Sequence, residues 1–183
     1  PEQIDKVWTD FGMPMGPFAM SDLAGLDVGY RIRKEQEATR SSNVRYVHIA
    51  DKVVEMGRLG QKTGGGFFDY IDGSRVPVPN AEVTALVLAE SERKGIERRE
   101  YSDDEILNAL TDLMTNEGAK VLEEGIAMRP VDVDITYIFG YGYPAYRGGP
   151  MHRADAVGLA ETLARIKARY EETGDHSWKP SAL

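Results

Sequence analysis

Apolar residues recur along most of this chain at spacings of three and four, which places them on one face of a helix. Ile4, Val7, Trp8 and Phe11 mark the first such stretch, and Gly12 and Pro14 end it. A tight turn, Met13 to Phe18, follows. Ser21 and Asp22 offer the start of a second helix, predicted to run to about Thr39 with its charged second half in water. Ser41, Ser42 and Asn43 predict the cap of a third, over about Val44 to Met56, ended by Gly57 and Gly60. Asn80 caps a helix predicted to reach about Lys94, where Gly95 stops it. Ser102 and Glu105 have capping-box spacing, in which each side chain takes the other's free backbone N–H. Behind them Ile106, Leu107, Leu110, Leu113, Met114, Val121 and Leu122 carry a long helix to about Ala127. A short helix over about Val133 to Phe139 comes next, then a last one from about Asp155 to Glu172 with Leu159, Leu163, Ile166 and Tyr170 on its apolar side. Only the stretches around Phe67 and Val76 predict extended chain, since the alternate prolines Pro77 and Pro79 forbid a helix. The fold class is all-α.

The pattern occurs twice. Gly12 and Pro14 match Gly142 and Pro144 at an offset of 130. Gly16, Pro17, Asp22, Gly25 and Leu26 match Gly149, Pro150, Asp155, Gly158 and Leu159 at 133, and Pro1, Ile4 and Asp5 face Pro130, Val133 and Asp134 at 129. Offsets that grow slowly along the chain are the mark of a diverged duplication with a small insertion. The expected organisation is two tandem helical copies packed together, 1–79 and 80–183, joined at the proline-rich stretch. In the second copy a long helix precedes Pro130, so a helix of roughly 25 residues is expected upstream of Pro1 by the same repeat. The sequence is therefore expected to be a fragment, and the end of the chain resembles a segment that continues.

Composition narrows the partners. Thirty acidic against 22 basic residues leave a net charge of −8, which disfavours a nucleic-acid binder. With 42% hydrophobic residues a sizeable core is available, and the absence of cysteine rules out disulfides and thiolate zinc sites. No apolar run reaches membrane-spanning length, and the first residues do not read as a secretory signal. The expected compartment is cytoplasmic.

Candidate chemistry is sparse. Gly140, Gly142 and Ala145 fit the dinucleotide spacing, but Pro144, Gly148, Gly149 and Pro150 follow where a helix must open onto the pyrophosphate. Lys62 to Gly66 lacks the glycine that stands directly before the lysine of a phosphate loop and has no preceding strand. Of the three histidines, His48 and His176 sit in polar surroundings, and only His152 lies beside a glycine-rich turn, with Asp155 three residues on. The first copy carries Ala19 in place of His152 but keeps Asp22 for Asp155, so the aspartate is expected to cap a helix in both copies. No catalytic, cofactor-binding or metal-ligating residue is assigned.

The segments MPMGPFAMSDLAGLDVG, LGQKTGGGFFDY, NEGAKVLEEGIAMRPVDVD and FGYGYPAYRGGPMH resemble the C-terminal region of 3-hydroxyacyl-CoA dehydrogenases, more specifically that of multifunctional β-oxidation enzymes, in which this helical domain occurs twice. The resemblance runs along nearly the whole chain. It implies oxidation of a 3-hydroxyacyl-CoA to a 3-ketoacyl-CoA by NAD. It also implies a nucleotide-binding domain and a His–Glu pair carried before this region, often with an enoyl-CoA hydratase domain earlier still. It implies that the chain alone binds no NAD and is inactive. The expected partners are the missing nucleotide-binding domain of the same polypeptide, the acyl-CoA substrate and a second copy in a homodimer; nucleic acid and membrane are not among them. Gly16, Pro17 and Phe18 are the residues expected to touch the acyl-CoA cleft. Asn116 stands where a substrate-orienting asparagine would fall in the second copy and is read as a side chain pinning neighbouring backbone. The alternative is a stand-alone helical interaction or dimerisation module without catalysis.

Overall fold

The computed structural model describes residues 1–40 and 46–182. Among them nine α-helices carry the chain: α1 Glu2–Asp10, α2 Pro17–Ala24, α3 Leu26–Glu35, α4 Ile49–Glu55, α5 Ala81–Arg93, α6 Asp103–Glu123, α7 Pro130–Tyr141, α8 Pro150–Val157 and α9 Leu159–Thr173. Among the described residues strands are confined to β1, Phe68–Asp69, and β2, Val78–Pro79, which pair antiparallel with Phe68 opposite Pro79. The fold is all-α, and the extended pieces lie beside the prolines that forbid a helix.

Several starts and stops follow the sequence. The Asn80 side chain accepts from the Val83 N–H at the head of α5. Ser102 and Glu105 form the capping box of α6. The cap expected at Ser41, Ser42 and Asn43 lies outside the described residues.

Two helices expected as single are each broken in two. The stretch from Ser21 to Thr39 is divided between α2 and α3 at Gly25, and that from Asp155 to Glu172 lies in α8 and α9, broken at Gly158. Gly25 has φ 95° and ψ 117°, and Gly158 has φ 110° and ψ 118°. Both are positive-φ conformations that only glycine adopts without strain. The break recurs at matching positions of the repeat.

The described residues fall into two compact units: Pro1–Lys6, residues 15–40 and Tyr46–Tyr101 in the first, Val7–Pro14 and residues 102–182 in the second. The expected boundary at 79/80 thus lies inside the first unit. The reason is α5, whose Val83 is buried in the first core beside Val53, Phe67, Phe68 and Tyr70. Glu90 of α5 is clamped by Arg93 and by Lys52 of α4.

The second unit has its own core around Trp8, Phe11 and Tyr143, with Leu107, Leu110 and Met114 of α6 and Tyr137 and Ile138 of α7 against it. Here the Gly-x-Pro turns of the two copies meet reciprocally. A Cβ on Gly12 would lie 3.2 Å from Pro144, and one on Gly142 would lie 2.9 Å from Pro14.

Candidate functional site

The helices that begin at Pro17 and Pro150 need an acceptor at their N-termini. Proline at the first helical position has no N–H, but the next two residues do, and those N–H groups have no partner within the helix. The preceding residues, Gly16 and Gly149, have no side chain to supply one. A carboxylate from the helix before fills the gap in both units. Asp5 of α1 accepts from Phe18 N at 2.9 Å and Ala19 N at 2.8 Å. Asp134 of α7 accepts from Met151 N at 2.8 Å and His152 N at 3.2 Å. The glycines are required because the carboxylates close on them. A Cβ at Gly16 would stand 2.1 Å from Asp5 Cγ, and one at Gly149 would stand 2.3 Å from Asp134 Oδ1. Burial pushes both carboxyls above the ordinary aspartate value, and the accepted N–H bonds pull them back.

These contacts account for the sequence candidates. Gly16 is buried at the head of α2, Pro17 is the first helical residue, and Phe18 is half-buried with its ring edge-on to Phe67 at 4.8 Å. Asp22 and Asp155 cap neither helix, contrary to expectation, since both lie well inside α2 and α8. The capping carboxylates are Asp5 and Asp134, matched in the repeat but not recognised there as caps. The signal that could have found them is the repeat, which matches Asp5 with Asp134 at an offset of 129.

Asp22 has a different task. It is 1% exposed and accepts from Phe67 N at 2.8 Å, Phe68 N at 3.0 Å and the Tyr70 hydroxyl at 3.0 Å. Burial raises its pKa, opposed by the two backbone N–H bonds and by Tyr70, and the Tyr70 hydroxyl is in turn pushed up by burial and by the Asp22 charge. The glycine run wraps this carboxylate. A Cβ at Gly66 would fall 2.0 Å from Asp22 Oδ1, and one at Gly60 would fall 2.1 Å from the Asp22 carbonyl. Arg58 holds the far side, donating to the Gly66 carbonyl and to Asp69 at 2.8 and 2.6 Å, and Lys62 pairs with Asp27. These glycines therefore surround an aspartate of the chain itself. A dinucleotide needs a strand, a glycine turn and a helix N-terminus, and Gly140 lies inside α7. Gly140, Gly142 and Ala145 thus do not form that turn.

In the second unit the carboxylates are likewise committed. Arg165 of α9 makes a two-pronged contact with Asp112 of α6 at 2.7 and 2.8 Å. A groove of about 180 Å3 beside this pair is lined by Asn108, Asp112, Arg165, Arg169 and Glu172, where acidic and basic groups alternate. Asn116, 3% exposed, donates to the Ser177 and Lys179 carbonyls and accepts from Ser181 N at 3.1 Å, so it pins the C-terminal segment to α6. The His152 side chain is exposed, and the bond to Asp134 comes from its backbone N–H. Among the described residues no group of three His, Cys, Asp or Glu could hold a metal ion, and no helix is long and apolar enough to cross a membrane.

A family model described as the C-terminal domain of 3-hydroxyacyl-CoA dehydrogenase matches residues 1–70. The chain is similar to the peroxisomal bifunctional enzyme of Danio rerio, 42% identical over 91% of this chain and 25% of that protein. It is also similar to that of Homo sapiens, 39% identical over 96% and 26%, and to the fatty acid oxidation complex subunit alpha of Shewanella, 32% identical over 98% and 25%. It spans about a quarter of the length of these relatives. In fold it resembles the crystal structure of the dehydrogenase part of multifunctional enzyme 1 from C. elegans, with a TM-score of 0.73 at 24% identity, covering all of this chain and 40% of that one.

Proposed function

We propose that the chain belongs to the 3-hydroxyacyl-CoA dehydrogenase family, in its helical C-terminal region, and that it covers the substrate cleft of a dehydrogenase domain carried on the same, longer polypeptide. The parent enzyme oxidises a 3-hydroxyacyl-CoA to a 3-ketoacyl-CoA in fatty-acid β-oxidation. NAD and the acid–base pair that serves it sit outside these residues. NAD, where bound, takes the hydride; the helices of this chain hold the acyl-CoA side of the cleft in place and keep water from it. The two repeats, 1–79 and 80–183, are read as copies of one ancestral cover, and a homodimer and a cytoplasmic location belong to the same reading. The peroxisomal names of the animal relatives are the alternative for location, which imaging of the tagged parent protein decides.

Gly16, Pro17 and Phe18 are assigned to contact with the acyl-CoA. In support, Asp5 fixes the backbone of this turn by two hydrogen bonds and leaves the Phe18 ring half-buried. The observation that carries the proposal is the glycine run at residues 60–66. Gly60 and Gly66 close on Asp22, which supports a nucleotide site outside these residues.

The test is NADH-linked reduction of acetoacetyl-CoA. The 183-residue chain is expected to give no turnover and the parent polypeptide to give it. In the parent, Phe18→Ala is expected to raise KM for the acyl-CoA severalfold with kcat little changed, the pattern of lost uniform binding. Turnover by the chain alone overturns the proposal, and an unchanged KM removes Phe18 from the cleft.

A further inference from the structure

The chain leaves α9 at Gly174, makes a single turn over His176–Trp178 and then runs along α6. Pro180 keeps Lys179 out of the helical region, and Lys179 stands at φ −57° and ψ 120°. Three α6 side chains hold this strap. Asn116, Lys120 and Glu123 are spaced i, i+4 and i+7, which puts them on one side of the helix. Asn116 donates to the Ser177 carbonyl at 3.3 Å and to the Lys179 carbonyl at 2.9 Å, and accepts from Ser181 N at 3.1 Å. Lys120 donates to the Ser177 carbonyl at 3.4 Å. Glu123 accepts from Ala182 N at 3.0 Å and from the Ser181 hydroxyl at 2.7 Å. Of these bonds only the last reads a side chain of the strap; the others take its main-chain carbonyls and N–H groups. Asn116 is buried beneath it, whereas no residue from 174 to 182 is buried. A segment held by hydrogen bonds with little apolar burial of its own opens at low cost.

We propose that Asn116, Lys120 and Glu123 form a clasp for polypeptide main chain, and that the strap in it exchanges with the same segment of a second copy, so that two copies hold each other by their tails. The contacts all lie within the second unit and do not depend on the dehydrogenase reading. The clasp sits on a 21-residue helix, so it stays formed when the strap leaves. Lys120 can only donate and the Glu123 carboxylate can only accept. The clasp therefore takes a chain in one direction, carbonyls toward Lys120 and N–H groups toward Glu123. Residues 177–182 meet that pattern and add the hydroxyl that Glu123 accepts, and a second copy brings the same residues. Two copies that exchange tails make two like contacts, the closed arrangement of a two-fold dimer. Within one copy the tether through Gly174 presents the tail at an effective concentration on the order of millimolar, so exchange emerges as protein concentration rises.

Two variants of the 183-residue chain separate tail from clasp. Ser181→Pro removes the N–H taken by Asn116 and the hydroxyl taken by Glu123, leaving a clasp without a fitting tail. Asn116→Ala leaves a tail without a clasp. Sedimentation is expected to show each variant alone as a monomer. Their mixture is expected to form a one-to-one dimer at about tenfold lower concentration than wild type, because neither cis contact competes. A second readout needs no folded variant: a dye-labelled peptide of residues 175–182 is expected to bind the wild-type chain in fluorescence anisotropy, and the same peptide with Ser181→Pro is not. A mixture that stays monomeric while both variants keep the wild-type circular dichroism overturns the proposal. So does a dimer of Asn116→Ala alone, which places the contact elsewhere, or equal binding of the two peptides.

Discussion

The start of α2 and the start of α8 are built alike, and the residues beside them are not. Each helix opens with a glycine, a proline and two N–H groups caught by an aspartate from the preceding helix. Five residues past each proline stands another aspartate, Asp22 or Asp155. Asp22 is sealed under Phe67, Phe68 and Tyr70, whereas Asp155 is exposed. The second unit covers α8 with α6 instead, through Thr115 Oγ1 on the Pro150 carbonyl at 3.1 Å and a close approach of Met151 to Gly118. Duplication therefore preserved the device that fixes where a helix begins and released the position that fixes what lies against it. An aspartate kept at matching positions of a repeat does not keep its role.

The largest effect expected from this comparison comes from the glycines. Gly149→Ala places a Cβ into the Asp134 carboxylate at a residue with φ 102°, so strain and lost hydrogen bonds add, at about 3 kcal/mol. Gly16→Ala meets Asp5 in the same way but at φ −72°, which alanine tolerates, and about 2 kcal/mol is expected from the carboxylate bonds alone. The shift in urea midpoint at constant slope measures both. Silent substitutions at both sites would mean that the carboxylates are not what fixes the helix starts.

Next in size is the pair that differs. Asp22→Asn keeps one acceptor oxygen but turns an amide toward an N–H, leaving one of the Phe67 and Phe68 donors without a partner, at about 2 kcal/mol. Asp155→Asn, on an exposed position, is expected to stay within about 0.5 kcal/mol. Amide hydrogen exchange at Phe67 and Phe68 should accelerate in the first variant and not in the second. Comparable losses in the two would erase the distinction drawn between them.

The helices themselves were legible because their apolar spacing is regular, and the caps at Asn80 and Ser102 because a single side chain makes each. The breaks at Gly25 and Gly158 were not, since one apolar stripe can run across a glycine that remains compatible with a helix. Asp5 and Asp134 were visible only as repeat matches, because a cap donated from another helix leaves no local spacing to read. The glycine run at 60–66 was recognised as a turn, but its partner lies some forty residues away in sequence at Asp22, a distance at which periodicity carries no information. The boundary was placed by composition at 79/80, while burial of Val83 and the clamp on Glu90 hold α5 to the first unit.

The smallest effect separates two ways of holding a carboxylate within the first unit. Arg93 and Lys52 hold Glu90 down to about 2, from 4.5, whereas burial lifts Asp22 above 3.8 against its N–H donors. The signs are opposite. A depressed carboxyl contributes stability that is fully present above 4.5 and lost as pH falls toward about 2. A raised one binds its proton more tightly in the folded state, so stability increases as pH falls from its raised value to 3.8. The gap between wild type and Glu90→Gln should accordingly narrow on acidification, and that between wild type and Asp22→Asn should widen over the window just above 3.8. Thermal midpoints across that range read both. If the two gaps narrow together, Asp22 behaves as an ion-paired carboxylate like Glu90, and its place at the centre of the glycine run has been misjudged.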